Sequence, residues 1–202
     1  MKSKGGIVTL YLSFIRIKEM AKIEIVYFSG YGHTSKQAEA LAEGAGDAAR
    51  LWQIPEDGVL PEHAWDALDA ADAILFGSPT YMGGPAWQFK RFADASSKRW
   101  MTQSWSNKLM GGFTNSASTN GDKGITMLYL ATLAAQHGGL WASLGQLPAN
   151  ALANGPKDTN WAGGSFGPLA TSPSDSSPEQ GPATGDLESA RQYGARILTL
   201  LD

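Results

Sequence analysis

Two rhythms of apolar positions alternate along this chain: short near-continuous runs, and stripes with a helical repeat. Ile23 to Phe28 is a run of the first kind, rich in β-branched and aromatic residues, and predicts a strand buried on both faces of a parallel sheet. The turn Ser29-Gly30-Tyr31-Gly32-His33 follows. Thr34 then opens a helical pattern with Gln37 at capping-box spacing, and Ala38, Leu41, Ala42 and Ala45 form its apolar stripe. Ala49 to Ile54 reads as a second strand and Glu62 to Ala70 as a short helix. Ala73 to Gly77 is a third strand, ending in Ser78-Pro79-Thr80-Tyr81-Met82-Gly83-Gly84. Trp87 to Lys98 reads as a helix with Trp87, Phe89, Phe92 and Ala93 available for packing. Lys108 to Phe113 is a fourth strand, followed by the polar loop Thr114 to Gly121. Ile125 to His137 is helical and Gly138 stops it. Leu140 to Leu144 is a fifth strand, and Asp186 to Leu201 a closing helix striped by Leu187, Ala190, Tyr193, Ile197 and Leu200.

This alternation predicts one α/β domain over residues 21–202, a five-stranded parallel sheet with helices on both faces. Right-handed crossovers leave two common strand orders, 2-1-3-4-5 and the dinucleotide-binding order. Residues 146–185 break the rhythm: they hold six of the ten prolines, so a long Pro/Gly-rich loop is expected there, either functional or packed on a partner. At the other end, Lys2 and Lys4 precede the apolar stretch Ile7 to Ile15, but Arg16, Lys18 and Glu19 stand where a signal cleavage site needs small residues. Residues 1–20 therefore read as an extension outside the fold, ending at Met20. No stretch approaches the ~18 apolar residues of a membrane span, and the cytoplasm is the default compartment.

The chain has 202 residues and a formal charge of -3, which argues against a nucleic-acid binder held by bulk charge. It has no cysteine, which excludes disulfides, iron–sulfur clusters and thiol nucleophiles. Its three histidines, His33, His63 and His137, lie far apart in sequence, so no metal site is expected. Redox chemistry here requires an organic cofactor. In an open parallel sheet, ligands bind outside the carboxyl ends of the strands. The loop Ser29 to Thr34 lacks the third glycine of the dinucleotide fingerprint and the spacing of a Walker loop. Its hydroxyls and glycines run into a helix start, which suits a phosphate bound by neutral donors. A serine/glycine turn that only starts a helix satisfies the same residues. Ser78 to Gly84 offers amide donors, a flat ring at Tyr81 and a polarizable side chain at Met82; a plain structural turn is the other reading. The third loop, Thr114 to Gly121, is small and uncharged, as backbone contacts to a ring require, and a solvated linker would look alike. All three fall at one sheet edge.

The segments Ile25-Val26-Tyr27-Phe28-Ser29-Gly30-Tyr31-Gly32-His33-Thr34 and Asp72-Ala-Ile-Leu-Phe-Gly-Ser-Pro-Thr-Tyr81 resemble the flavodoxin-like superfamily. The chain is most similar there to the WrbA-type NAD(P)H:quinone oxidoreductases, with Gly163 to Gly167 and Glu188 to Gly194 extending the likeness. The resemblance implies a flavodoxin-like three-layer sandwich of strand order 2-1-3-4-5, FMN as cofactor, and ping-pong reduction of a quinone or similar acceptor by NAD(P)H through flavin N5. It implies that Ser29, Gly30, Tyr31, Gly32, His33 and Thr34 hold the phosphate. Pro79, Thr80, Tyr81, Met82 and Gly83 would border the ring on one side. Thr114, Asn115, Ser116, Ala117, Ser118, Thr119 and Asn120 would border it on the other. Trp100 and Tyr81 become substrate walls, with Tyr31 and His137 the candidate catalytic side chains. Core or interface packing of Trp100 and a helix-end cap at His137 remain the alternatives. The other tryptophans are expected in the core or in subunit contacts. The family pattern has a histidine pair where this chain has Gln136-His137, and more glycines where it has Ala117, Thr119 and Asn120. It also implies a homo-oligomer, dimer or tetramer. A flavodoxin-type electron carrier, or an FMN-binding module without turnover, is the alternative function.

Overall fold

The computed structural model describes residues 21–202, so the expected extension at 1–20 lies outside the described residues. The chain alternates β1 (Ile23–Tyr27), α1 (His33–Ala45), β2 (Ala49–Gln53), α2 (Glu62–Ala70), β3 (Ala73–Tyr81) and β4 (Gly84–Pro85). It continues through α3 (Trp87–Ala95), α4 (Ser97–Thr102), β5 (Leu109–Ser116), α5 (Lys123–Gln136), β6 (Leu140–Trp141), β7 (Leu169–Thr171) and α6 (Thr184–Leu201). Among the described residues the sheet has seven strands, with main path β2-β1-β3-β5-β6. The five-stranded expectation is thereby corrected. Two short strands were not foreseen: β4, antiparallel on the end of β3, and β7, parallel on the end of β5.

Both additions follow from longer central strands. β3 runs on through Ser78, Pro79 and Thr80, and β5 through Thr114, Asn115 and Ser116, because these polar stretches pair with each other, Ser78 with Thr114 and Pro79 with Asn115. β6 is shorter than expected. After Leu140 and Trp141 pair with Leu109 and Met110, the chain leaves the ladder, and Leu144 N–H donates to the Ser165 carbonyl. The outer edge of β5 is thus shared, by β6 at its start and β7 at its end. The expected helix over 87–98 is two helices, because the buried Ser96 turns its hydroxyl back onto the Ala93 carbonyl (2.7 Å) and α4 restarts beyond it.

Strand alternation sorts the core into two layers. Ile23, Ile25 and Tyr27 face α1 and α6, where Leu41, Ala190 and Tyr193 meet them. Val26, Phe28, Ile74 and Phe76 face α2, α3 and α5, among Trp65, Phe89, Phe92 and Trp105. Here Trp65 stacks on Phe92 at 5.1 Å and on Trp105 at 6.3 Å, pairs each worth about 0.5–1.5 kcal/mol beyond area burial. Trp87 and Trp161 are instead partly exposed. No helix among the described residues is long and apolar enough to cross a membrane.

Candidate functional site

The carboxyl ends of β1, β3 and β5 open into a cavity of about 440 Å³. The first loop lends it Ser29, Tyr31, His33 and Thr34, the second Pro79, Thr80 and Tyr81, and the third Asn115, Ser116 and Ala117. A fourth wall comes from the long loop: Ser172, Pro173, Ser174 and Ser176. No lysine, arginine, aspartate or glutamate lines it.

At the first loop the capping box does not form. α1 starts at His33 behind Gly32, whose φ of 87° places it in the left-handed region, and no side chain caps the helix. Thr34 lies inside the first turn, so its hydroxyl cannot reach back as a cap, and the buried Gln37 amide instead donates to the Pro168 carbonyl at 3.1 Å. The consequence is chemical. Ser35 N–H donates to Ser29 Oγ at 3.1 Å, but among the described residues no acceptor takes the N–H groups of Tyr31, Gly32, His33 or Thr34. Free donors at a helix start attract anions. The loop is braced from outside: His33 Nδ1–H donates to the Gly181 carbonyl at 2.9 Å, and a Cβ at position 32 would sit 2.5 Å from Pro178 Cγ.

The floor is a hydroxyl relay. Thr80 Oγ1 donates to Thr126 Oγ1 at 2.8 Å, which leaves Thr114 to donate to Thr80 at 2.9 Å. Beside it Ser172 Oγ donates to Asn115 Oδ1 at 2.9 Å. Tyr81 stands edge-on to the exposed Tyr31, ring centroids 6.2 Å apart, with its hydroxyl above Gly30. Burial pushes the Tyr81 hydroxyl pKa up, so it stays a neutral phenol. Met82 and Gly83 form the two-residue turn between β3 and β4, both with positive φ, as this hairpin geometry requires.

The structure therefore brings together ten of the expected residues around one cavity: Ser29, Tyr31, His33, Thr34, Pro79, Thr80, Tyr81, Asn115, Ser116 and Ala117. Gly30 and Gly32 shape the same loop, and Thr114 is buried beneath it. Met82, Gly83, Ser118, Thr119 and Asn120 lie outside the cavity wall. His137 and Trp100 are elsewhere. They line a separate cavity of about 420 Å³ between α3, α4 and α5, which shares no residue with the first. His137 is buried against Trp105 at 4.4 Å. Because Ser96 gives its hydrogen to Ala93, the His137 Nε2–H donates to Ser96 Oγ at 2.9 Å. Burial holds the ring's pKa down, so it is a neutral, enclosed group at the end of α5, not a proton donor at the first cavity.

Two charged residues escaped the sequence reading. Lys123, on the first turn of α5, is buried beneath the third loop, and Asp186, on the first turn of α6, accepts the Thr171 N–H at 2.9 Å. Nothing in a hydropathy pattern separates such a lysine from a solvated one. Burial pulls Lys123 down to about 8 and pushes Asp186 up to about 6, with the Lys123 charge opposing that rise. A carboxyl whose folded pKa is raised stabilises the fold below its unfolded pKa of 3.8, and loses that contribution as pH rises through about 6. Relative to Asp186→Asn, the wild type is thus expected to lose about 2 kcal/mol between pH 4 and pH 7, at up to about 1.4 kcal/mol per pH unit between the two pKa values. Denaturant unfolding across that range checks it; a constant difference between the two proteins refutes the assignment.

A family model described as NADPH-dependent FMN reductase matches residues 19–152. Flavodoxin FldP of Pseudomonas aeruginosa is 53% identical over 178 residues, covering 88% of this chain and 95% of that one. Quinone-oxidoreductase QR2 of Triphysaria versicolor is 34% identical over 142 residues, 61% of this chain and 69% of that one. The crystal structure of a flavodoxin, WrbA-like protein from Agrobacterium tumefaciens superposes with a TM-score of 0.73 at 52% identity, covering 89% and 96% of the two chains. With its flavodoxin-like fold, the chain belongs to the NADPH-dependent FMN reductase family.

Proposed function

We propose that this protein holds FMN at the strand-end cavity and uses it to carry two electrons from NAD(P)H to a quinone or a similar acceptor. The observation that carries this reading is the row of four free N–H groups, Tyr31 to Thr34, opening into a cavity walled by two tyrosine rings and free of charged side chains. The residues fit FMN. Ser29, Thr34 and the four amides are neutral donors for a phosphate, and His33, braced by the Gly181 carbonyl, keeps the loop in place. Asn115, Ser116 and the serines at 172, 174 and 176 offer polar contacts to a sugar chain. Tyr31 and Tyr81 offer ring faces, and the Thr80 relay spends its hydrogens internally, which keeps the floor closed.

When bound, FMN supplies the hydride chemistry. The chain's own share is to orient, to exclude water and to leave one ring face open for donor and acceptor in turn, which predicts ping-pong kinetics. No protein acid or base is required. Trp100 stays in this reading only through a homo-oligomer: its partly exposed ring can wall an acceptor pocket on a second copy, and not on its own. The reading also keeps the protein in the cytoplasm.

A flavodoxin-type carrier is the second reading, favoured by the name of the 53% identical relative. Carriers of that kind present acidic surface around the cofactor to basic partners, whereas the cavity lining here is uncharged. Steady-state assay of FMN-loaded protein with NADPH and benzoquinone separates them. Quinone-dependent NADPH oxidation with parallel double-reciprocal lines is the expected result. A protein that retains FMN but oxidises no NADPH supports the carrier.

A further inference from the structure

The third loop is held from behind. Lys123 is buried to 1% exposure, and its ammonium donates to Ser116 Oγ and the Ser118 carbonyl at 2.7 Å each, with the Thr119 carbonyl and Thr171 Oγ1 both at 3.1 Å. Ser118 and Thr119 are consecutive, and both turn their carbonyls toward the ammonium. In a trans peptide the next N–H points the opposite way, so the N–H groups of Thr119 and Asn120 face away from Lys123. Among the described residues, no acceptor takes the N–H of Ala117, Ser118, Thr119 or Asn120. On the far side of Thr171, Asp186 is 4% exposed and supplies the opposing charge.

Building on the FMN reading above, we propose that Lys123 is a positioning residue for the cofactor. Its ammonium gathers the carbonyl side of the loop 116–119, which fixes Ser116 and Ala117 at the wall of the cofactor cavity, and its charge favours the more negative, reduced cofactor. Burial strengthens both effects, because hydrogen bonds and charges act at full reach where water is excluded. Asp186 tempers the charge: it anchors β7 through Thr171 and offsets the ammonium. The pair therefore sets two things separately, loop geometry by hydrogen bonds and local potential by the balance of charge.

The test reads FMN affinity by fluorescence quenching, midpoint potential by anaerobic titration, and backbone order parameters of the cofactor-free protein. Lys123→Met is expected to bind oxidised FMN at least tenfold more weakly. It should bind the reduced form about tenfold more weakly still, which for a two-electron couple is a potential about 30 mV lower. Asp186→Asn keeps the lysine and an acceptor for Thr171, and, titrated at about pH 6 so that the amine stays protonated, is expected to shift the potential upward. Opposite shifts are the signature of charge; a merely structural role moves both variants the same way or neither. In the cofactor-free protein, residues 117–120 should be rigid in the wild type and mobile in Lys123→Met. Unchanged affinity and potential in Lys123→Met, shifts of one sign in both variants, or unchanged order parameters overturn the proposal. A wild type that binds no FMN overturns the functional reading instead, and the order parameters alone then decide the clamp.

Discussion

Thr34→Glu is expected to weaken FMN binding by at least a thousandfold and to cost the fold about 1–3 kcal/mol. Thr34 is 2% exposed and lies in the first turn of α1, beside the free N–H groups of Tyr31 to Thr34. A carboxylate there answers those donors itself. Negative charge in the first turn of a helix is favourable by about 0.3–1 kcal/mol, which offsets only part of the cost of enlarging a side chain buried to this degree. Ligand binding loses more. A unit charge about 4 Å from another costs about 4 kcal/mol at an effective dielectric of about 20, and a phosphate dianion doubles the repulsion. Four kcal/mol alone is close to a thousandfold in affinity. Thr34→Val removes only the hydroxyl and is expected to cost about 1 kcal/mol, several-fold in affinity. Fluorescence titration with FMN and thermal melting of the same three proteins separate the loss of affinity from the loss of stability. If Thr34→Glu holds FMN within tenfold of the wild type, the phosphate does not sit at this helix start.

Much of this site was written locally. β1, its turn and the start of α1 were legible because a strand buried on both faces leaves a near-continuous apolar run, and a turn of Ser and Gly must interrupt it. The polar ends of β3 and β5 were not. Ser78, Thr80, Thr114 and Asn115 look like loop residues, yet they form ladder and cavity floor together, because pairing across strands satisfies their backbone and the relay satisfies their hydroxyls. The long loop hid more. Leu169-Ala170-Thr171 carries no periodic signal, and its strand exists only because the end of β5 has a free edge. From that pairing Ser172 and Ser176 reach the cavity. Capping-box spacing at Thr34 and Gln37 misled for a related reason: Pro168, from the same loop, claims the Gln37 amide. The expectation of His137 and Trp100 beside the cofactor came from resemblance, and α5 carries His137 away from the strand ends, to where Leu140 meets the beginning of β5.

Three glycine-to-alanine substitutions should give opposite signs, and the contrast tests how α1 is held against α6. On propensity alone each should help, since alanine is favoured over glycine in a helix interior by about 1 kcal/mol. Gly124, in the first turn of α5, has open space where a Cβ would go, so Gly124→Ala is expected to stabilise by up to that amount. At Gly44, on α1, the added carbon would stand 1.8 Å from the Arg191 carbonyl oxygen. At Gly194, on α6, it would stand 2.0 Å from that of Leu41. Both obstacles are backbone, so no rotamer change relieves them and the two helices must separate. Overpacking of this kind costs about 1–3 kcal/mol and more when backbone blocks the way, which outweighs propensity. Gly44→Ala and Gly194→Ala are therefore each expected to lower Tm, by about 2–4 °C for every kcal/mol lost in a chain of this size. They should weaken FMN as well, because α6 buttresses the helix that follows the loop Tyr31 to Thr34. Calorimetry on the three variants decides it. Equal stabilisation by all three would mean that α1 and α6 do not cross at these glycines, and that the support assigned to the phosphate loop lies elsewhere.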